Sequence, residues 1–108
     1  MKSQKRHGQG VRLYEAPVNR DLTVADLLEE AKKTGVVQGR QVLKEYLTNA
    51  KLVPRSWHGK VVLFAGSEED EEGVHIVAPC LILWTPESRP GYVPQKQEIG
   101  SDYAVAIG

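Results

Sequence analysis

The chain has 108 residues, of which 41% are hydrophobic and 26% charged, and its formal net charge is zero. This length suits one domain, and the composition excludes wholesale disorder and a strongly acidic or basic protein. The single cysteine, Cys80, excludes an intrachain disulfide, and every apolar run is shorter than the roughly 20 residues that cross a bilayer. We therefore expect a cytoplasmic protein with one α+β domain over residues 11–108.

The charges are distributed unevenly along the chain. Residues 1–60 carry 12 Lys or Arg and 6 Asp or Glu, whereas residues 61–108 carry 2 and 8. Such asymmetry is typical of a nucleic-acid contact on the basic side, or of two oppositely charged parts of one domain that lie together. Residues 1–10 are polar and basic and have little to bury, which predicts a mobile basic tail or a phosphate-binding arm.

The first elements predicted are a short strand at Val11–Tyr14 and a helix that begins after Thr23. Thr23 fits the N-cap position, and Asp26 stands where a capping box has its reciprocal residue. Gly35 is expected to end the helix as the residue beyond its C-cap. Apolar residues at i, i+3, i+4 and i+7 predict one buried face, formed by Val24, Leu27, Leu28 and Ala31.

A second helix is predicted from about Arg40 to Ala50, with the same apolar spacing. It should end by Val53, because the residue before Pro54 disfavours helical backbone. The link between the two helices is short, so both helices should pack against each other or against the same sheet.

Residues 57–84 are predicted to form a β-hairpin at the centre of the sheet. Two apolar runs, Val61–Ala65 and Val74–Trp84, flank an acidic loop at Gly66–Gly73. The first run is apolar at every position, which predicts a strand that is covered on both faces. Pro79 interrupts the second run, so this strand should be bulged there or lie at an edge.

The C-terminal part is predicted as a long irregular Pro-rich loop at 85–97 and a closing strand at Tyr103–Ile107. The expected fold class is α+β, with two short helices packed on a small, mostly antiparallel sheet of about four or five strands built around the central hairpin. Two helices on one face would leave the other face open. The loop at 85–100, curling of the sheet, or a second copy of the chain should then cover it.

No residue pattern predicts catalysis, a cofactor or a metal site. Cys80 lies inside an apolar strand, where a cysteine usually acts as a small hydrophobic residue. A zinc site could form from His58, His75 and Cys80 only if the hairpin brought these residues together. They lack the paired spacing that is typical of zinc ligands. The acidic run at 68–72 lacks the ligand order of a calcium loop.

The predicted function is therefore the binding of a protein partner, either a different protein or a second copy of the chain. Exposed aromatic and arginine side chains are typical interface anchors. The alternative for Trp57 and Trp84 is a place in the core. The surface predicted beside the Pro-rich loop consists of Trp57, Arg89, Tyr92 and Lys96.

A nucleic-acid-binding protein is the alternative prediction. Two short helices followed by a β-hairpin match the order of elements in a winged helix, and the helix at 40–50 would then contact bases. The predicted hairpin would be the wing, and its tip would hold the acidic run. This argues against the interpretation, because the acidic run would repel phosphates. The residues predicted to contact nucleic acid are Arg40, Gln41, Lys44, Lys51, Arg55 and Lys60.

Overall fold

The computed structural model describes residues 10–17, 21–66, 68–69, 76–84 and 88–108. The predicted tail at 1–10, apart from Gly10, lies outside the described residues, as do His75 and residues 70–72 of the acidic run. Two short 3-10 turns, Ala50–Leu52 and Arg55–Trp57, follow the second helix. The helices and strands, in chain order, are β1 (Arg12–Glu15), α1 (Val24–Lys32), α2 (Arg40–Thr48), β2 (Val61–Leu63), β3 (Glu68–Glu69), β4 (Ile76–Ile82), β5 (Arg89–Pro94) and β6 (Tyr103–Ile107).

All of these strands belong to one mixed sheet. Its order is β1-β6-β2-β4-β5, and β3 continues β2 along the same side of β4. Of the pairings between these strands, β2 with β6 is the parallel one and the others are antiparallel. The predicted fold class is confirmed, with two short helices on a small, mostly antiparallel sheet built around the β2–β4 hairpin.

The two helices lie on opposite faces of the sheet, here called the α1 face and the α2 face. Alternate residues of the first hairpin strand show this, since Val61 and Leu63 pack with α1 whereas Val62 and Phe64 pack with α2. Each face therefore has its own apolar core. The prediction that a loop, curling or a second copy must cover one face assumed that both helices lie on the same face, and it is wrong.

The link between the helices crosses from one face to the other beside the end of β2. Val37 pairs with Ile107, and the Gln38 N–H donates to the Ala106 carbonyl at 2.9 Å. The Gln38 carbonyl in turn accepts from the Ala65 N–H at 2.7 Å. The link thus pairs with the part of β6 that lies beyond the end of the short strand β2. The backbone groups of the link form their hydrogen bonds with the sheet.

The start of α1 is set by the predicted capping box. Thr23 Oγ1 accepts from the Asp26 N–H at 3.2 Å, and Asp26 Oδ2 accepts from the Thr23 N–H at 3.1 Å. The next two N–H groups, of Val24 and Ala25, donate to the carbonyls of residues 97 and 95. The unpaired donors that every helix start presents are therefore bound by the chain itself.

The substitution Thr23→Ala should lower the free energy of unfolding by about 1 kcal/mol, because it removes the cap of α1. Thr48→Ala is the matched control. The Thr48 hydroxyl donates to the Lys44 carbonyl within α2 at 2.8 Å, and its removal should change stability by less than about 0.5 kcal/mol. Urea unfolding of both variants measures the difference, and equal losses would contradict a specific role of the cap.

Strand β4 runs through Pro79 without a break, and the neighbouring strand is the one interrupted. The Phe64 N–H donates to the Pro79 carbonyl at 3.0 Å, but the reciprocal bond cannot form because proline has no N–H. The chain leaves the ladder beyond this pair, and Gly66 adopts a φ of +135° opposite Pro79. The prediction of a bulged or edge strand at Pro79 is therefore wrong, because the irregularity lies between β2 and β3.

Residues Arg89–Pro94 form the edge strand β5, where the sequence predicted an irregular loop. The Gln95 N–H donates to the Ile76 carbonyl at 2.8 Å. Because alternate residues of an antiparallel strand bond the same neighbour, the odd-numbered residues of β5 are the ones whose backbone groups face β4. The backbone of Pro90 and Pro94 therefore points away from the sheet. A proline at such a position removes no hydrogen bond from the ladder, so the Pro-rich segment can form a strand.

Candidate functional site

Trp57 does not belong to the surface. It is 4% exposed and packs in the core of the α2 face, where its ring meets Tyr46 edge-on with centroids 5.1 Å apart. The ring of Phe64 also lies near that of Tyr46, with centroids 6.5 Å apart. The prediction of Trp57 as a partner-binding residue is corrected because the 3-10 turn at Arg55–Trp57 directs its side chain into the core.

The other three residues of the predicted surface are exposed but do not share one face. Arg89 pairs with Ile82, whose side chain belongs to the α1 face, whereas Tyr92 pairs with Pro79 on the α2 face. Lys96 lies in the turn after β5. Because side chains alternate along a strand, β5 separates Arg89 from Tyr92 instead of joining them.

Tyr92 is the centre of a different group of side chains. It is 56% exposed, and its two neighbours on the same face of β5 are Pro90 and Pro94. Pro90 is exposed and Pro94 is half-buried, so the three form a row along the sheet edge, here called the β5 row. The two prolines were not among the residues predicted for this surface. Their spacing of two on either side of a tyrosine was the available signal, since this spacing puts all three on one side of a strand.

Trp84 is a second exposed aromatic residue. It follows β4, is 62% exposed, and its indole Nε1 donates to Asp102 Oδ2 at 2.8 Å. The hydrogen bond satisfies the polar end of the ring and leaves its apolar body in solvent. Aromatic side chains held in this way are suited to interface contacts.

The helix pair that a winged helix needs is not formed, because the sheet separates α1 from α2. The predicted recognition helix does expose Arg40, Gln41 and Lys44, and the segment after it exposes Lys51 and Arg55. Lys60 is less accessible and forms an ion pair with Glu15 at 3.1 Å. Arg40, Gln41 and Lys44 are thus presented by a helix that packs on a sheet, and Lys51 and Arg55 by the turns after it.

Cys80 and His58 do not come together. Cys80 is fully buried in the core of the α1 face, and burial raises the pKa of its thiol to about 12. His58 is exposed in the turn before β2. Among the described residues, no group of three or more His, Cys, Asp or Glu side chains is placed to hold a metal ion. A thiol with a raised pKa in an apolar core is a poor nucleophile at neutral pH.

A cleft of about 320 Å³ opens on the α1 face between the helix and the turn after β2. Its charged rim consists of Glu29 and Lys32, which neutralise each other through an ion pair of 2.9 Å. The remaining wall is mostly small and apolar, and the arrangement offers no activated nucleophile. The residues that line the cleft are Ala25, Leu28, Glu29, Lys32, Val37, Ala65, Gly66 and Gln95.

No protein family, no characterised protein and no solved structure was found to match the chain. Within the described ranges, no helix combines the length and the apolar character that a membrane crossing requires. Function must therefore be inferred from the surfaces of the molecule itself.

Proposed function

We propose that the protein is a non-catalytic binding module that acts in the cytoplasm and contacts a protein partner through the β5 row, Pro90, Tyr92 and Pro94. The observation that carries the proposal is the exposure of Tyr92. Both faces of the sheet are already covered by the protein's own helices, yet this large ring is 56% exposed at the sheet edge. Tyrosine is enriched among the residues that contribute most to binding at interfaces.

The row is rigid before any partner arrives. Prolines on both sides of Tyr92 fix two backbone dihedrals, and the strand beneath is held by β4. Opposite Tyr92 stands the fully buried Pro79, so the base of the row belongs to the packed core. Binding to such a surface orders few groups, which lowers its entropic cost.

The partner would bind side chains and would not add a strand to β5. Of the three residues whose backbone points away from β4, only Tyr92 has an N–H to donate, because the other two are prolines. Prolines at an edge are a known means of preventing strand addition. The surface therefore favours a partner that presents an apolar or aromatic patch over one that presents an extended segment.

Site-specific photo-crosslinking tests this proposal. With p-benzoylphenylalanine in place of Tyr92, we expect one discrete adduct in cells that express the protein naturally. The same substitution of the exposed Lys33, on α1, is the control and should give no adduct of that mass. An adduct of twice the 12.0 kDa chain mass identifies a second copy as the partner, and any other mass identifies a different protein.

The adduct at Tyr92 must also depend on the row. Pro90→Ser should reduce its yield, whereas Lys32→Gln on α1 should not. No adduct from position 92, or the same adducts from positions 92 and 33, would contradict the proposal. Pro90→Ser should change the free energy of unfolding by less than about 0.5 kcal/mol, since Pro90 is exposed, so that a reduced yield is not due to unfolding.

A further inference from the structure

The charge of the molecule is divided between the two faces of the sheet. Residues 40–60, which form the layer over the α2 face, carry five Lys or Arg and one Glu, a net charge of +4. Residues 21–33, which include α1 on the opposite face, carry four Asp or Glu and two Lys, a net charge of −2. The layer over the α2 face is thus basic, although the charge of Lys60 is neutralised by its ion pair with Glu15.

The outer surface of the α2 layer carries more cations than carboxylates. Its one carboxylate, Glu45, is half-buried. Arg40 and Lys44 are exposed one helical turn apart, roughly 6 Å along the axis. Lys51 and Arg55 are exposed in the two 3-10 turns that follow. In the described part of the chain, Lys44, Lys51 and Arg55 form no ion pair.

We propose that this layer binds the phosphodiester backbone of double-stranded nucleic acid, without reading its sequence. Exposed cations such as Lys44, Lys51 and Arg55, which have no carboxylate partner in the described part of the chain, are available to replace the counterions of phosphates. Lys44 lies on a helix that packs on the sheet, and Lys51 and Arg55 lie in the turns that follow it, so the three charges can contact different phosphates of one backbone. This site is distinct from the β5 row, and its function does not depend on the partner proposed there.

The layer favours a duplex over a single strand. Residues 40–60 are all described, and their large aromatic rings, Tyr46 and Trp57, are both buried. Proteins that bind single strands commonly stack bases on exposed aromatic side chains, and each such contact is worth about 1–3 kcal/mol. Without exposed rings, the layer can offer a single strand charge alone.

Fluorescence anisotropy with a short labelled duplex of mixed sequence, at salt concentrations from about 50 to 200 mM, tests the proposal. Three phosphate contacts, by Lys44, Lys51 and Arg55, predict that log K falls with log salt with a slope of about −2.7. The double variant Lys44→Gln with Lys51→Gln should flatten the slope by about 1.8. Lys32→Gln with Lys33→Gln, on the α1 layer, changes the net charge equally and should leave the slope unchanged. Arg55→Lys keeps the charge and should also leave it unchanged.

Three results would overturn the proposal. The first is the absence of duplex binding at low salt. The second is an equal loss in the two double variants, which would mean that net charge or another segment is responsible. The third is binding to vesicles that contain anionic lipid without binding to the duplex, which would assign the layer to membranes. Preferential binding of a single strand of the same length would contradict the predicted preference for the duplex.

Discussion

Trp57→Ala should lower the free energy of unfolding by about 3–5 kcal/mol, the range found when a buried aromatic side chain is truncated in a core. Trp57 is 4% exposed and fills the space between Tyr46 and the rest of the α2-face core. Its removal would leave a cavity beside a helix of only nine residues, which the surrounding backbone cannot fill without moving. Domains of this size are stable by about 5–15 kcal/mol, so the loss would be a large part of the total.

Trp84→Ala is the matched control, since it removes the same side chain from an exposed position. It loses one hydrogen bond to Asp102, and we expect a cost of about 1 kcal/mol or less. Urea unfolding monitored by circular dichroism measures both variants without depending on tryptophan emission. Similar losses in the two variants, or a larger loss for Trp84, would contradict the assignment of Trp57 to the core and Trp84 to the surface.

The two tryptophans show what the sequence could and could not determine. Both residues flank the predicted hairpin. The pattern of residues around each of them is compatible with a core position and equally with a surface position. Trp57 is buried because two 3-10 turns fold the segment after α2 back onto the sheet. Such turns produce no apolar periodicity that would reveal them, so the burial of Trp57 was not predictable from the pattern around it.

Short-range sequence patterns predicted α1 and β6. The capping box at Thr23 and the apolar stripe that begins at Val24 placed α1 within one residue of its observed start. The alternation at Tyr103–Ile107 placed β6. In both cases the residues that predict the element lie within a few positions of each other, although β6 is held by its pairing with the distant strands β1 and β2.

The placement of the helices on opposite faces depends on contacts between distant parts of the chain. An amphipathic pattern indicates that one side of a helix is buried, but it does not indicate which face of the sheet that side packs against. Here the placement of the helices on opposite faces depends on the pairing of Val37 with Ile107, which are 70 residues apart in the sequence. The short link between the helices was therefore consistent with helices that pack together, although it passes beside a strand instead.

The β5 row was missed for a related reason. Three prolines between residues 85 and 97 are normally a signal for irregular structure, because proline cannot donate to a sheet. That rule has an exception at an edge, and only the register with β4 shows that Pro90 and Pro94 occupy the outward positions. The residue predicted correctly as exposed, Tyr92, thus has different neighbours from those expected.

Alkaline pH should weaken the fold through Cys80. Its thiol lies fully buried in the core of the α1 face, and burial raises its pKa from 9.0 to about 12. The unfolded chain then loses the thiol proton at a lower pH than the folded chain does, so deprotonation favours the unfolded state. The stabilising contribution is complete below pH 9 and is lost between pH 9 and about pH 12, by about 1.4 kcal/mol for each unit of pH.

Comparison with Cys80→Ala isolates this contribution from other groups. Burial also raises the pKa of Tyr46 and Tyr103, so the wild-type chain loses stability at high pH for several reasons. The variant keeps both tyrosines and lacks the thiol, whose charge makes a smaller contribution to the raised pKa of Tyr103 than burial does. Its stability should therefore be lower than that of the wild type by a constant amount below pH 9, and the difference should shrink by about 1.4 kcal/mol per unit above it. Urea unfolding from pH 7 to pH 10.5 measures the difference, and a difference that stays constant would show that the thiol is accessible to solvent in the folded protein.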